Sequence, residues 1–337
     1  MTGKILDEIL TDDNLSWGRN LENNKQKFLV ELNSEIIEEL IKSRNELDKI
    51  DENELPILKN NILKIRKEKL LDGVGLFIID GVCLKNFSIN EKKSIFILIS
   101  KILGELLIQN IKQEKIVVIK DLGKSMKTGG RYHETKEGGS HHTDSPQLKN
   151  VPDWLGLFCV HNAKKGGTNL FLSAYAIHNI IFKERKDLLN LLYEKFHFDK
   201  RGEFKDGESP TVFEPIFEYK EGRLRFRYLR NYIDAGHDIQ NQPLSKSQKE
   251  VLDFLDNLMH DENIILRYVA FQKFSFFNFS LQFHFLIFRF YSIHYLTTHI
   301  NLHCISSYYF SSIIFLNSDF QHFLLFFRSL SSDNLLT

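Results

Sequence analysis

His142 and Asp144 stand two residues apart in Gly138-Gly139-Ser140-His141-His142-Thr143-Asp144-Ser145-Pro146, beside a glycine turn. On an extended segment residues i and i+2 share a face, so this imidazole and carboxylate can converge on one ion while Thr143 points away. Imidazole plus carboxylate, completed by a histidine from elsewhere, is the facial triad that holds non-heme Fe(II) and leaves positions open for a cosubstrate and O2. A bare His-x-Asp is cheap in a chain with 13 histidines. The competing reading is a polar loop in which Asp144 turns or caps the backbone and His142 is exposed. Context favours the metal pair: the β-branched run Lys115 to Asp121 precedes it, and the apolar run Trp154 to Val160 follows. Both read as strands, and a metal pair between two buried strands has a firm frame.

The flanking elements follow from periodicity. Residues 20–70 are rich in Glu, Lys, Asn and Leu, with Leu29, Leu32, Ile36, Ile37, Leu40 and Ile41 at helical spacing, which predicts an amphipathic helical flank with a solvated charged face. Gly73 to Gly81 reads as a strand between glycines, without a completed GxGxxG nucleotide fingerprint. A helix follows through Ile95, Leu98, Ile102 and Leu106. After the His-x-Asp segment, Gly166-Gly167 turns into a strand through Leu172, and residues 174–192 read as a helix. Phe213 to Tyr219 and Arg223 to Tyr228 form two strands around Glu221-Gly222. Arg225, Arg227 and Arg230 invite an anion-binding reading, although alternating Arg on a strand is more often a solvated face; Arg230 is kept as a substrate candidate. Ser245 opens a last helix carrying Leu252, Leu255 and Leu258.

The chain has 337 residues, with 44 Lys plus Arg against 44 Asp plus Glu, so it can bury a large core and carries no basic footprint for nucleic acid. Small molecules are the expected partners. Cys83, Cys159 and Cys304 show no CxxC or zinc-ligand spacing, which fits a reducing compartment, and the cytoplasm is the expected location. The N-terminal residues lack the apolar core of a signal peptide. His133 and His161 read as exposed or core histidines.

From Phe271 the composition breaks. The last 67 residues hold 15 of the 29 Phe and 11 Ser, five charged residues, and no Gly or Pro. Turns need such residues in quantity. A membrane span is contradicted by His284, Arg289 and His294 in one apolar run, and by Asp319, Gln321 and His322 in another. The composition fits a frame-shifted or intron-derived sequence. Three segments result: a helical flank over 1–70, a catalytic-type domain over 71–270 and an anomalous Phe/Ser-rich tail over 271–337.

Taken in order, Gly75 to Gly81, His142-Thr143-Asp144-Ser145-Pro146 with Pro152-Asp153, Gly166-Gly167-Thr168, Asp187-Leu188-Leu189 and Arg227-Tyr228-Leu229-Arg230-Asn231-Tyr232-Ile233 resemble the TauD/TfdA (taurine dioxygenase, clavaminate synthase-like) family. These are Fe(II)- and 2-oxoglutarate-dependent oxygenases, and the resemblance spans residues 70–270. It implies a mainly β fold with flanking helices (α+β), a double-stranded β-helix or jelly roll of cupin-like type with iron in its mouth. His142 and Asp144 would be iron ligands, and Thr168 or Asn169 would contact 2-oxoglutarate. The expected reaction consumes O2 and 2-oxoglutarate and oxidises a small-molecule substrate at an unactivated C–H. After Asn263 to Tyr268, however, the Gly-Asp turn, the distal His and the 2-oxoglutarate-binding Arg of the family are missing. His284 lies near the expected distance for the third ligand but lacks the flanking Asn, Leu and Arg; Arg289 and Arg328 are likewise without context. The chain as written is therefore expected to be poorly folded at its C-terminus, to leave sheet edges unpaired, and to be weak or inactive as an oxygenase. Two other readings stand beside this one: a non-catalytic jelly-roll protein that binds a small molecule, and a non-redox cupin-like metalloenzyme. The second needs further histidines near the pair, and adjacent His141 diverges from His142 on a strand.

Overall fold

The computed structural model describes residues 5–109, 112–120, 122–124, 141–161, 168–220, 222–269, 274–278, 283–285 and 321–328. The glycine turn at 138–139, His133, Gly166-Gly167 and Arg289 lie outside them.

The helical flank is split. After the short strand β1 (Leu29–Val30), helix α1 (Ser34–Lys42) starts where the Asn33 side chain accepts from Ile36 N at 3.0 Å, and α2 (Pro56–Ile65) starts on a proline. Both are natural helix starts, since a cap oxygen or a missing N–H disposes of an orphan donor. They bury Ile36, Leu40, Leu58 and Ile62. Strand β2 (Leu76–Ile79) follows, and α3 (Ile89–Leu103) opens on a capping box between Ser88 and Glu91. Next come β3 (Glu105–Leu106), β4 (Ile116–Lys120), β5 (Trp154–His161) and β6 (Thr168–Leu172).

The helix expected over 174–192 is two helices, α4 (Ala174–Glu184) and α5 (Lys186–Leu192). Arg185 leaves the helical region at φ −142°, ψ 56°, and its guanidinium pairs with Asp187 and with Glu250 further along the chain. Strands β7 (Lys195–Asp199) and β8 (Thr211–Pro215) pair with each other. Strands β9 (Phe217–Lys220) and β10 (Arg223–Phe226) form the expected hairpin, whose turn places Gly222 at φ +76°, a conformation glycine adopts without steric cost. Helices α6 (Arg230–Ile239) and α7 (Lys246–Leu258) and strand β11 (Leu266–Val269) complete the stretch.

Three further strands come from the Phe-rich region: β12 (Phe274–Asn278), β13 (Phe283–Phe285) and β14 (Gln321–Arg328). The large sheet runs β1-β2-β12-β5-β14-β3, with β4 also on β14, and a smaller sheet runs β11-β6-β13. The expectation of unpaired edges is thus corrected. Strand β12 lies between β2 and β5, and β14 pairs the other edge of β5, because a phenylalanine-rich stretch suits a pleated surface whatever its origin.

Alternation along the strands sorts the layers. Phe77 and Ile79 of β2 and Trp154 and Phe158 of β5 pack with α1, α2 and α3. Leu76, Ile78, Leu155 and Leu157 turn the other way and meet Phe171 of β6 and Leu266 of β11. Leu170 and Leu172, on the opposite face of β6, join the core of α4, α5 and α7. The order is helices, large sheet, small sheet, helices, a mixed α+β architecture. Among the described residues no helix is long and apolar enough to cross a membrane.

Candidate metal centre

His142 Nε2 and Asp144 Oδ1 lie 3.3 Å apart, both side chains shielded, with 9% and 25% of their surface exposed. Two donors bound about 2.1 Å from one ion at right angles stand about 3 Å apart, so the pair already has the spacing of adjacent ligands. Thr143 points elsewhere and fixes the segment. Its N–H donates to Tyr228 O at 2.7 Å, and Tyr228 N–H donates to Thr143 Oγ1 at 3.0 Å. His142 forms an antiparallel bridge with Leu229. The pair therefore rides on the segment joining β10 to α6.

That segment is itself anchored. The buried Tyr228 phenol donates to Asp256 Oδ1 of α7 at 2.6 Å, and the other carboxylate oxygen accepts from Arg230 Nη1 at 2.9 Å. Burial pushes the Tyr228 hydroxyl well up, and the adjacent Asp256 adds to it. Burial also raises the Asp256 carboxyl, against the bonds from Tyr228 and Arg230. Arg230 further contacts Asp253 at 2.7 Å and Asp234 at 3.1 Å. Three carboxylates thus already match this guanidinium, which ties α6 to α7.

Downstream of the pair, Ser145 takes φ +53°, and the loop that follows is clamped by Arg227. Its Nη1 donates to Pro146 O at 2.7 Å and Leu148 O at 2.6 Å, and its Nη2 to Lys149 O at 3.3 Å. The solvated-face reading of the arginine alternation fails here, because Arg227 lies beyond the end of β10 and folds back over the loop. His141 is buried and packs its ring against His260, centroids 4.2 Å apart.

The other candidates lie on the small sheet. Thr168 and Asn169 pair with Val269 and Tyr268 of β11, and His284 on β13 stands opposite Phe171 of β6. The Asn169 side chain is 2% exposed, and its Oδ1 finds no hydrogen-bond partner among the described residues. A buried amide with an unmet atom is costly unless a ligand completes it, and its O and N positions are interchangeable. It shares a face with Phe171, towards the space between the sheets. The donor set of His142 and Asp144 suits Fe(II), and Asn169 suits a carboxylate or carbonyl ligand. Among the described residues no third His, Cys, Asp or Glu joins the pair.

Sequence reasoning missed the anchors. Thr143 and Tyr228 are 85 residues apart, and Tyr228 and Asp256 are 28 apart. The usable signal was Tyr228 itself, since a buried tyrosine needs a partner for its hydroxyl.

Known proteins share this fold. The profile of the family described as "Taurine catabolism dioxygenase TauD, TfdA family" matches residues 54–269. A relative, FR-33289 synthase of Streptomyces rubellomurinus (strain ATCC 31215), is 34% identical over 170 residues, covering 50% of this chain and 49% of the relative. The matched part thus spans about half of that protein. Among solved structures, asparagine oxygenase in complex with Fe(II), 2S,3S-3-hydroxyasparagine and succinate superposes with a TM-score of 0.59 at 10% identity, over 89% of this chain and 93% of that one. The non-heme iron oxygenase OrfP in complex with Fe and alpha-ketoglutaric acid gives 0.57 at 12% identity, over 90% and 94%. At such identities the likeness speaks for the fold. With the profile covering most of the chain and enclosing both His142 and Asp144, the protein belongs to the TauD, TfdA family of dioxygenases.

Proposed function

We propose that this chain is built as an Fe(II)- and 2-oxoglutarate-dependent oxygenase of a small molecule, on a jelly-roll frame, with His142 and Asp144 as two metal ligands. The 3.3 Å approach of His142 Nε2 to Asp144 Oδ1 carries the reading. Family membership and relatives bound to iron, succinate and alpha-ketoglutaric acid support it. Held by His142 and Asp144, iron with 2-oxoglutarate would supply the oxidising power for oxygenation of a substrate C–H by O2. The protein's own part is positional. Thr143 and Tyr228 hold the two ligands on one face, Arg227 fixes the loop behind them, and Asn169 offers a buried amide to the cosubstrate.

The same proposal includes weak turnover for the chain as written. His284, the remaining candidate for the third ligand, lacks the sequence context of the family's distal histidine, and a site with two protein ligands holds its metal less tightly. The test is anaerobic addition of Fe(II) and 2-oxoglutarate. A visible metal-to-ligand charge-transfer band, abolished in His142→Ala, is expected at millimolar rather than micromolar iron. No band at any iron concentration overturns the oxygenase reading and favours a non-catalytic small-molecule-binding protein. A band at stoichiometric iron with rapid succinate release overturns the weak-site part.

A further inference from the structure

His141 stands directly before the metal pair and takes no part in it. On an extended segment His141 and Thr143 share the face opposite to that of His142 and Asp144. Both are buried like core residues, 2% and 1% exposed, although neither is apolar. Both connect to one turn at the end of α7. Thr143 does so through Tyr228, which it pairs with and whose phenol donates to Asp256 Oδ1 at 2.6 Å. His141 does so directly: its ring lies 4.2 Å from that of His260, centroid to centroid, at an interplanar angle of 58°. That is a tilted contact as close as aromatic pairs make.

Asp256 and His260 are four residues apart, so on a helix they lie on one face. The helical turn continues past Leu258, since Met259 N–H donates to Leu255 O at 3.0 Å and His260 N–H to Asn257 O at 3.1 Å. The His260 ring is itself aimed. Its Nδ1 lies 2.7 Å from Asp256 O, and because a carbonyl only accepts, Nδ1 carries the hydrogen. The residue as a whole is exposed, so replacing it opens no cavity in the core.

We infer that His260 is a positioning residue for the metal pair: with Asp256 it gives the ligand segment a two-point mount on α7, one point on each side of His142. Pairing with Tyr228 and Leu229 fixes the segment along one edge. Rotation about that edge would swing His142 away from an ion shared with Asp144, and the ring contact at His141 opposes it. The inference rests on the oxygenase reading for the purpose of the mount, whereas the mount itself needs no metal.

The experiment uses the full chain with two readouts. NMR relaxation of the metal-free protein should give the Thr143 amide a rigid order parameter of about 0.85, falling towards about 0.6 in His260→Ala. Anaerobic Fe(II) titration with 2-oxoglutarate, followed by the visible charge-transfer band, should need about fivefold more iron in that variant, the worth of one ring contact. His260→Phe keeps a ring and should restore the order, with an iron midpoint within about twofold of the unmodified value. A residue that only stabilised the fold would lower the urea midpoint and move neither readout. An unchanged order parameter in His260→Ala, or a His260→Phe chain as loose as the alanine one, overturns the mount. Loss of order with an unmoved iron midpoint overturns its role in positioning. Absence of the band in every chain overturns the oxygenase reading and the purpose given to the mount, while the relaxation data still decide whether the mount exists.

Discussion

The family-matched stretch 54–269 and the strands beyond it enter the same sheets by different means. In the first, particular side chains hold particular places: Thr143 on Tyr228, Tyr228 on Asp256, Ser88 and Ser245 at helix starts. In the second, β12 and β14 occupy both sides of β5 although the region has no Gly or Pro and 15 Phe in its 67 residues. A strand position asks for backbone pairing and an apolar face, which many sequences meet. A metal site asks for given atoms at given distances, which few do. That the tail pairs in a sheet is thus no measure of whether it completes the site.

The largest test of that contrast is deletion. Ending the chain after Val269 strips β5 of both neighbours and leaves β2 and β4 without their antiparallel partners. Loss of the cooperative thermal transition, with aggregation through the opened edges, is expected by circular dichroism and size-exclusion chromatography. A monomeric truncated chain with an unchanged melt would show that the tail strands contribute nothing, and would return the large sheet to the family stretch alone.

Much of the family stretch was legible because its signals are local. Strands β4, β5 and β6 and the β9–β10 hairpin follow from short apolar runs and the turn at Gly222; α3 follows from its apolar period and α7 from Ser245 before one. The break at Arg185 carries no Gly or Pro to announce it; there the guanidinium bonds Asp187 and also Glu250, 65 residues away. The convergence of His142 and Asp144 could be read from spacing, since period two is a property of extended backbone. Their support could not, because Tyr228 and Asp256 act through contacts that only the tertiary fold creates. Arg227 was misread for a related reason: alternation describes a strand, and β10 ends one residue earlier, at Phe226.

Acid should probe the family stretch by itself. His178 on α4 is fully buried against Phe182, Tyr193 and Phe217, and burial holds its imidazole down to about 4. In the unfolded chain the same group titrates near 6.5. Between these values the unfolded chain binds more protons, so the contribution is complete above pH 6.5 and is lost as pH falls towards 4. The total is on the order of 3 kcal/mol. Urea unfolding at pH 7 and pH 4.5 should therefore show a steep loss in the unmodified chain and a shallow one in His178→Leu. Equal slopes would move the acid sensitivity elsewhere in the molecule.

A smaller effect separates anchoring from folding. Tyr228→Phe removes the hydroxyl that reaches Asp256 at 2.6 Å while Arg230 still holds the carboxylate. The expected cost is about 1–3 kcal/mol for a buried hydrogen bond to a charged group. Partners one step removed from a metal typically change its affinity by about tenfold, and anaerobic Fe(II) titration should show a weakening of that order. A lower melting temperature with unchanged iron affinity would mean that the Thr143–Tyr228 backbone pairing fixes the ligands without help from α7.

The smallest effect supplies the control that gives the previous one its meaning. Ser245 Oγ accepts from Gln248 N at 3.1 Å, and Gln248 Oε1 accepts from Ser245 N at 2.9 Å. Ser245→Ala removes one arm of this capping box and should cost about 1 kcal/mol. The cap belongs to the same helix as Asp256 but lies three turns before it, and helix ends fray locally without moving the middle. Iron affinity should therefore stay at the unmodified value while the urea midpoint falls. If affinity falls as well, α7 carries its whole stability into the metal pair, and Tyr228→Phe would then report the firmness of the helix instead of one hydrogen bond.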